Sequence, residues 1–440
     1  MSIELRVKYL PLKEIFPTEG NPRTHSPKQI NLLAKCIKAS GVIGPLVVDE
    51  DRALMAGNAR LAAAKQLGLE TVPTICVTHL SEPEKRAFIM SDNRIAELAD
   101  WDQDKLRTEL EFLSNLEIDF DIELTGFGVT DIDLILEYDT VPSSDDEIIL
   151  PRRPSESISR KGDIWQLKLH RVATGDSRNS EIIDQLMDGK LASMVLSDPP
   201  YNLKIGGVVS GLGKIKHPEF PMASGELSSV EFTEFLTEFL QQASHVSVDG
   251  AFQYIYMDFR HMGELLSAGT AVYKQPLVNL CVWTKTNAGM GSLYRNQHEF
   301  VFIFKKGTAP HPNNVELGKN GRYRTNVWKY AGANSFGADR DEALAMHPTV
   351  KTVQMLADAI LDVTRLKEII FDGFLGSGST LIAAERTGRI CYGVELDPGY
   401  VDVTVRRWES ISGERATLAG TDMNIDQVAI ERGISQEVVA

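Results

Sequence analysis

Cysteine is scarce in this 440-residue chain: Cys36, Cys76, Cys281 and Cys391 are far apart and form no C-x-x-C pair. That argues against a disulfide framework and a thiolate zinc site, and points to a reducing, cytoplasmic setting. The nine histidines offer no H-x₃-H pair beside an acid, so no structural metal is expected. No run of eighteen apolar residues occurs, which argues against a membrane-spanning helix. The opening Met-Ser-Ile-Glu-Leu-Arg lacks the basic-then-apolar pattern of a secretory leader. Bases are also in short supply, 46 Lys and Arg against 61 Asp and Glu, for a net charge of −15.

The distribution of charge changes that first impression. Residues 97–147 hold seventeen acids and two bases, whereas residues 273–330 hold nine bases and two acids. A local basic surface is what phosphates respond to, so an acidic total does not argue against nucleic acid. The length exceeds one ordinary core, and two or three domains are expected.

What is present is organised around residues 196–201, Leu-Ser-Asp-Pro-Pro-Tyr. The apolar run at Met194, Val195 and Leu196 reads as a buried parallel strand. Two prolines lack ladder donors and fix φ, so the strand stops there. Asp198 and Tyr201 are left at its carboxyl end, where open α/β sheets bind their ligands. An acceptor carboxylate, the carbonyl of Pro199, then Pro200 and an aromatic face are the parts that grip a planar, amino-bearing heterocycle.

A second stretch, residues 369–380, runs from an apolar strand through Asp372-Gly373-Phe374-Leu375-Gly376-Ser377-Gly378 into an amphipathic helix. Its glycines let the backbone approach a ligand closely. The next strand ends in Glu395, twenty-three residues beyond Asp372, a spacing that places an acid on ribose hydroxyls.

Together, Asp198-Pro199-Pro200-Tyr201 and Phe374-Leu375-Gly376-Ser377-Gly378 resemble the S-adenosylmethionine-dependent amino-methyltransferases of DNA. The order, catalytic tetrapeptide before cofactor loop, is that of the permuted beta subgroup. Gly175-Asp176, His347-Pro348-Thr349 with Lys351, Tyr400 and Arg406 also fit, so the resemblance covers about residues 160–415. Gly373 stands where the family usually has Pro, and Thr352 where Pro usually follows the Lys.

The resemblance implies an α/β, Rossmann-like methyltransferase sheet and an S-adenosylmethionine site at Asp176, Asp372, Phe374, Gly376, Gly378, Glu395, His347 and Lys351. Within it Phe374 and the loop backbone would hold the cofactor, Glu395 its ribose, and Asp176 its adenine or amino-acid end. Asp198 and the Pro199 carbonyl would each accept an N–H of the target amino group, and Tyr201 would stack on the base. That base must leave the double-stranded DNA to reach the pocket. Asp at the first motif position leans to adenine N6, with cytosine N4 as the alternative. An inactive methyltransferase on a nucleotide-gated DNA clamp is a further alternative.

Residues 1–96 alternate short strands and helices, with Asn21-Pro22-Arg23 early and Gly57-Asn58-Ala59-Arg60 opening a helix. This resembles the ParB/sulfiredoxin-like nucleotide-binding domain, a small α+β module. Arg23, Gly57 and Arg60 are its candidate nucleotide contacts, although the usual paired arginines are reduced to one. A structural or DNA-contacting accessory role is favoured over useful nucleotide binding. Partitioning proteins of that family place a helix-turn-helix next; here residues 97–160 read as an acidic helical connector and linker, bounded by proline- and serine-rich turns.

Residues 161–415 are read as the methyltransferase domain. Its segment 202–224, rich in glycine and carrying Lys204, reads as a loop over substrate. Its aperiodic segment 306–345 interleaves Lys319, Arg322, Arg324 and Lys329 with Tyr323, Trp328 and Tyr330, the mixture that suits phosphate contact and base stacking. Residues 416–440 are read as a tail. The expected activity is sequence-specific DNA methylation of the restriction-modification kind, with a homodimer compatible.

Overall fold

The computed structural model describes residues 5–18, 23–96, 98–99, 101–115, 122–136, 154, 156–203, 223, 225–285, 293–315, 322, 324–330 and 351–434. Lys204, Lys319, Tyr323, His347 and the proline- and serine-rich boundary at 142–153 lie outside the described residues. The chain divides into two compact units, Met1–Leu136 and Glu137–Ala440.

The first unit contains β1 (Val7–Pro11), β2 (Phe16–Pro17), α1 (Pro27–Ser40), β3 (Leu46–Val48), β4 (Ala53–Ala56), α2 (Asn58–Gln66), β5 (Thr71–Cys76), α3 (Glu82–Ala96), α4 (Gln103–Asn115) and α5 (Val129–Ile135). Its sheet runs β1-β5-β3-β4-β2. Ser26 caps α1 by accepting from the Gln29 N–H, Pro27 fills its first position, and Gly41 stops it with φ at +77°. Leu46, Val48, Leu54, Leu61 and Val72 are buried between sheet and helices. Lys85 on α3 is buried and paired with Asp49, Glu50 and Glu82 at 3.2, 2.9 and 3.1 Å, which ties α3 to the β3–β4 turn. Helices α4 and α5 belong to this same unit, and Leu106, Leu110, Val129, Ile132 and Leu136 are buried. The acidic stretch thus has an apolar side.

Among its described residues the second unit has ten strands: β6 (Ile164–Leu167), β7 (His170–Thr174), β8 (Ala192–Ser197), β9 (Ser247–Met257), β10 (Asn279–Lys285), β11 (His298–Lys305), β12 (Val327–Tyr330), β13 (Ile369–Asp372), β14 (Ile390–Glu395) and β15 (Thr417–Leu418). Its helices are α6 (Ser180–Met187), α7 (Ser229–His245), α8 (Met262–Tyr273), α9 (Val353–Val363), α10 (Ser379–Arg386), α11 (Pro398–Ser412) and α12 (Ile425–Glu431). One sheet is formed in the order β12-β10-β11-β9-β8-β13-β14-β7-β6-β15. The central block β9-β8-β13-β14-β7 is parallel throughout. This is the expected α/β architecture. Strand β8 precedes β13 by a long excursion in the chain yet lies directly beside it, with Ile370 opposite Met194 and Phe371 opposite Val195.

Helices cover both faces, which is why the central strands read as unbroken apolar runs. Val195, Ile255, Phe371 and Tyr392 point to α6, α7 and α8, meeting Leu186, Phe232, Leu236, Phe239 and Leu265. Met194, Leu196, Ile370 and Cys391 point the other way, toward Leu356, Ile360, Leu381, Val405 and Trp408. Each fully buried large side chain contributes roughly 1.5–3 kcal/mol.

The expected tail is corrected. Thr417 and Leu418 pair with β6, and Ile425, Val428 and Ala429 on α12 are fully buried in the main core. Arg432 then pairs with Asp163 and donates to the Ile158 carbonyl at 2.7 Å. A polar tail would leave no apolar stripe to bury; this stretch has one, at the i, i+3, i+4 spacing of a helix. Among the described residues no helix is long and apolar enough to cross a membrane.

Candidate active site

Strand β8 ends where the prolines forbid a ladder, and two turns from neighbouring strands meet there. Ser197, its last residue, joins them. The Ser197 hydroxyl donates to Asp372 Oδ1 at 3.0 Å and accepts the Gly373 N–H at 2.9 Å. The Asp-Pro-Pro-Tyr turn and the glycine-rich turn therefore open on the same edge of the sheet.

Asp198 is enclosed by charge and aromatic rings. Its Oδ2 accepts from Lys351 Nζ at 2.6 Å and its Oδ1 from the Tyr201 hydroxyl at 2.6 Å. Glu299 Oε2 lies 3.1 Å from the same Lys351 Nζ and accepts the same Tyr201 hydroxyl at 3.2 Å. Its other oxygen accepts from Lys285. The Lys351 ammonium sits 5.0, 5.6 and 5.7 Å from the ring centres of Tyr256, Trp283 and Tyr201. Burial pushes the Asp198 carboxyl up, and Lys351 opposes that shift without cancelling it. Burial also works against the Glu299 carboxylate, but Lys351 and Lys285 hold it below the usual range. For Lys351 burial favours the neutral amine; the two carboxylates outweigh it and keep the ammonium. Tyr201, driven up by burial and by both acids, stays a phenol and a donor.

The glycine-rich turn is built for close approach. Gly376 and Gly378 have φ of +55° and +83°, and Gly378 opens α10. A Cβ on Gly378 would lie 2.7 Å from the Thr404 methyl, while the Thr404 hydroxyl donates to the Gly376 carbonyl at 3.0 Å. Gly373 is explained by packing: a Cβ there would run into the Phe239 ring. Phe374 stands edge-on to Phe239, ring centres 4.7 Å apart, and stays half-buried. Glu395 Oε2 accepts the Gly376 N–H and its Oε1 the Asp397 N–H, both at 2.8 Å. Burial raises Glu395 to about 7 and Asp372 to about 6. The Gly175 N–H bonds the Glu395 carbonyl at 2.9 Å, which brings Asp176 to this edge. Burial pushes Asp176 up, but Arg178 outweighs it through bonds of 2.8 and 3.1 Å and holds it below the ordinary value.

A nucleoside with an amino-acid tail needs hydroxyl acceptors, a close backbone and spare polar atoms. Glu395, the glycine turn and Asp176 offer the first two. The buried hydroxyls of Thr174 and Ser177, flanking Gly175-Asp176, have no protein partner and offer the third. The donor set fits such a ligand. Among the described residues no cluster of acids, histidines and cysteines could hold a metal.

Several residues fall elsewhere than their sequence role. Lys351, expected on the cofactor, is placed on Asp198 instead, because a buried ammonium needs a carboxylate. Arg322 and Arg324, expected on DNA phosphates, turn inward: Arg322 pairs with Asp358 at 2.7 Å and Arg324 with Asp362 at 2.7 Å, both acids on α9. Arg324 also donates to the Tyr330 hydroxyl at 2.7 Å. Lys329 on β12 remains exposed. In the N-terminal unit Arg23 donates to Asn93, and the Arg60 guanidinium folds back against Gly44 and Gly57. Sequence reading missed Glu299 and Lys285. It also missed Asn202, which fastens both ends of the glycine-rich segment by accepting from Gly225 N–H and donating to Leu227 O at 3.0 and 2.8 Å.

Residues 192–406 match the DNA methylase family of the N6/N4 type, and residues 2–94 match the ParB N-terminal domain. Residues 104–161 match a ParB-methyltransferase HTH domain, which corrects the reading of that stretch as a connector in place of a helix-turn-helix. The ParB-like nuclease domain-containing protein YnaK of Escherichia coli (strain K12) is 37% identical over 86 residues, 20% of this chain and 99% of YnaK. The type II methyltransferase M2.DpnII of Streptococcus pneumoniae is 26% identical over 227 residues, 49% of this chain and 82% of that protein. The crystal structure of the M1.HpyAVI-SAM complex aligns with a TM-score of 0.38 at 17% identity, over 54% of this chain and 97% of that one. The chain thus carries a DNA methylase domain of the N6/N4 type behind a ParB N-terminal domain.

Proposed function

We propose that this chain transfers the methyl group of S-adenosylmethionine to the exocyclic amino nitrogen of a base flipped out of double-stranded DNA, adenine N6 in the first place. The observation that carries the reading is the Ser197 bridge: one hydroxyl joins the end of the acceptor strand to the start of the glycine-rich turn. The bound cofactor supplies an electrophilic methyl group on a sulfonium. Glu395 receives ribose hydroxyls, Gly376 and Gly378 let the backbone close on the ligand, and Asp176 with Thr174 and Ser177 takes its polar ends.

A base amino group is a poor nucleophile because its lone pair is delocalised into the ring. Asp198 and the Pro199 carbonyl each accept one of its N–H bonds, drawing the nitrogen toward tetrahedral geometry. Fixed acceptors in a dry pocket need no reorganisation during transfer. Tyr201, held by Asp198 and Glu299, presents its ring to the base. Exposed Lys329 is the described candidate for phosphate contact, with Lys204 and Lys319 proposed alongside it. For the N-terminal unit an accessory role in DNA contact or structure is favoured, with nucleotide binding through Gly57 and Arg60 as the alternative.

The test is tritiated-methyl transfer to mixed DNA followed by nucleoside analysis. N6-methyladenine is expected. N4-methylcytosine would move the assignment to the other base, and no transfer to any DNA would favour an inactive methylase on a DNA-binding clamp.

A further inference from the structure

Two donors hold Asp198, and both are within reach of a second carboxylate. Lys351 Nζ is 2.6 Å from Asp198 and 3.1 Å from Glu299; the Tyr201 hydroxyl is 2.6 Å from Asp198 and 3.2 Å from Glu299. Glu299 lies on β11 opposite Trp283 of β10, whose ring walls the ammonium, and Lys285 on β10 pairs with its remaining oxygen. The cage thus holds two acids and two ammoniums and is neutral as a whole. Asp198 must accept a base amino group, yet each of its oxygens already accepts a strong donor, Lys351 on one and the Tyr201 hydroxyl on the other. Expelling a buried ammonium with no new partner costs several kcal/mol.

We propose that Glu299 is a positioning residue that takes over Lys351 and Tyr201 when an amino group arrives at Asp198, so that the acceptor is released while no buried charge is left unpaired. The proposal rests on the reading of Asp198 as the acceptor. Only hydrogen bonds are exchanged; no covalent bond forms or breaks and no proton changes hands. The ammonium needs to shift by only a fraction of its contact distance. Lys285 keeps Glu299 ionised and ready in either arrangement.

Each charge in the cage also acts on the ionisation of Asp198. Lys351 favours the carboxylate, whereas Glu299 opposes it. Asp372 lies close enough to feel Asp198, and Tyr201 and Tyr256 feel both acids. The Tyr256 hydroxyl is buried with no protein partner, so it is a spare polar atom in the same pocket.

The test is single-turnover tritiated-methyl transfer to DNA across pH, with thermal unfolding and cofactor binding measured on the same samples. Glu299→Gln keeps the size but removes the charge that competes for the ammonium, so Lys351 stays on Asp198. The rate is expected to fall at least about tenfold while cofactor affinity stays within about twofold. The acid limb should move to lower pH, by about a unit, because a negative charge beside Asp198 has gone. Lys351→Met should move the same limb to higher pH, and Glu299→Asp should restore part of the rate. A folded Glu299→Gln with wild-type rate and an unmoved limb overturns the proposal. Should that variant not fold, Lys285→Met reads the same balance: Lys351 is drawn to Glu299, Asp198 is less neutralised, and its limb moves up. An unmoved limb there overturns the proposal too. If the wild-type chain itself transfers nothing to DNA, the functional reading fails and takes the proposal with it; a working wild type with indifferent variants removes only the role of Glu299.

Discussion

Two buried clusters in the second unit are made from the same ingredients and do different things. One joins Asp198 and Glu299 to Lys351 and Lys285; the other joins Asp358 and Asp362 to Arg322 and Arg324. In the second, planar guanidiniums meet two acids one turn apart on α9, and Tyr330 completes the set. That is a clasp: geometry is fixed and every charge has a partner. In the first, a single flexible ammonium is shared between two acids inside a ring-walled cage at the mouth of the β8 turn. A lone ammonium passes between acids by a small shift, whereas guanidiniums that bridge both acids through separate N–H groups are fixed. Sequence reading lacked this distinction, and sent the arginines to DNA and the lysine to the cofactor.

The comparison can be broken first at Asp198. Asp198→Ala should lower methyl transfer by about a thousandfold, with the thermal midpoint changed far less, because Glu299 still partners the Lys351 ammonium. Arg324→Met should do the reverse. Stability of the second unit should drop by about 3 kcal/mol in denaturant unfolding, since two buried acids each lose one of their two guanidinium partners, while the salt dependence of DNA binding stays as in wild type. A changed salt slope without instability would return Arg324 to the DNA surface.

A third cluster extends the contrast to pH. Glu385 accepts from His170 at 2.7 Å and from Trp408 at 2.8 Å. Burial raises its carboxyl, but His170 outweighs burial and brings it from 4.5 down to about 2. A depressed acid adds stability above its unfolded value and loses it as the folded group protonates. Glu385→Gln should therefore cost about 2 kcal/mol at pH 7, and the gap should close as pH falls from 4.5 toward 2. Equal destabilisation at all pH values would assign the effect to shape alone. The smallest effect is expected at exposed Lys329: Lys329→Ala should weaken DNA binding uniformly across sequences and reduce the salt slope by about one.

Much of the frame was legible because it depends on local rules. Met194–Leu196 and Ile369–Phe371 are apolar runs that only a doubly covered strand explains, and the prolines and glycines after them mark where each stops. What escaped notice depends on pairs far apart in the chain. Glu299 sits at the head of an apolar strand and looks like any exposed strand end; only the fold brings Lys351 to it. Asp358 and Asp362 carried a readable signal, two acids at i, i+4 on an otherwise apolar helix. So did α12, where Asn424 and Gln427 form a capping box ahead of Ile425, Val428 and Ala429. Neither signal says which partner is met, and that is why the tail and the arginines were misplaced.

The central claim is that the turn at Asp198 and the turn after Asp372 serve one reaction in one crevice. The direct measurement is to follow, in parallel, binding of labelled S-adenosylmethionine and its methyl transfer to DNA for wild type and Asp198→Ala. The account predicts equal cofactor binding and transfer by the wild type alone. Loss of cofactor binding in Asp198→Ala, or transfer that survives it, would contradict the account.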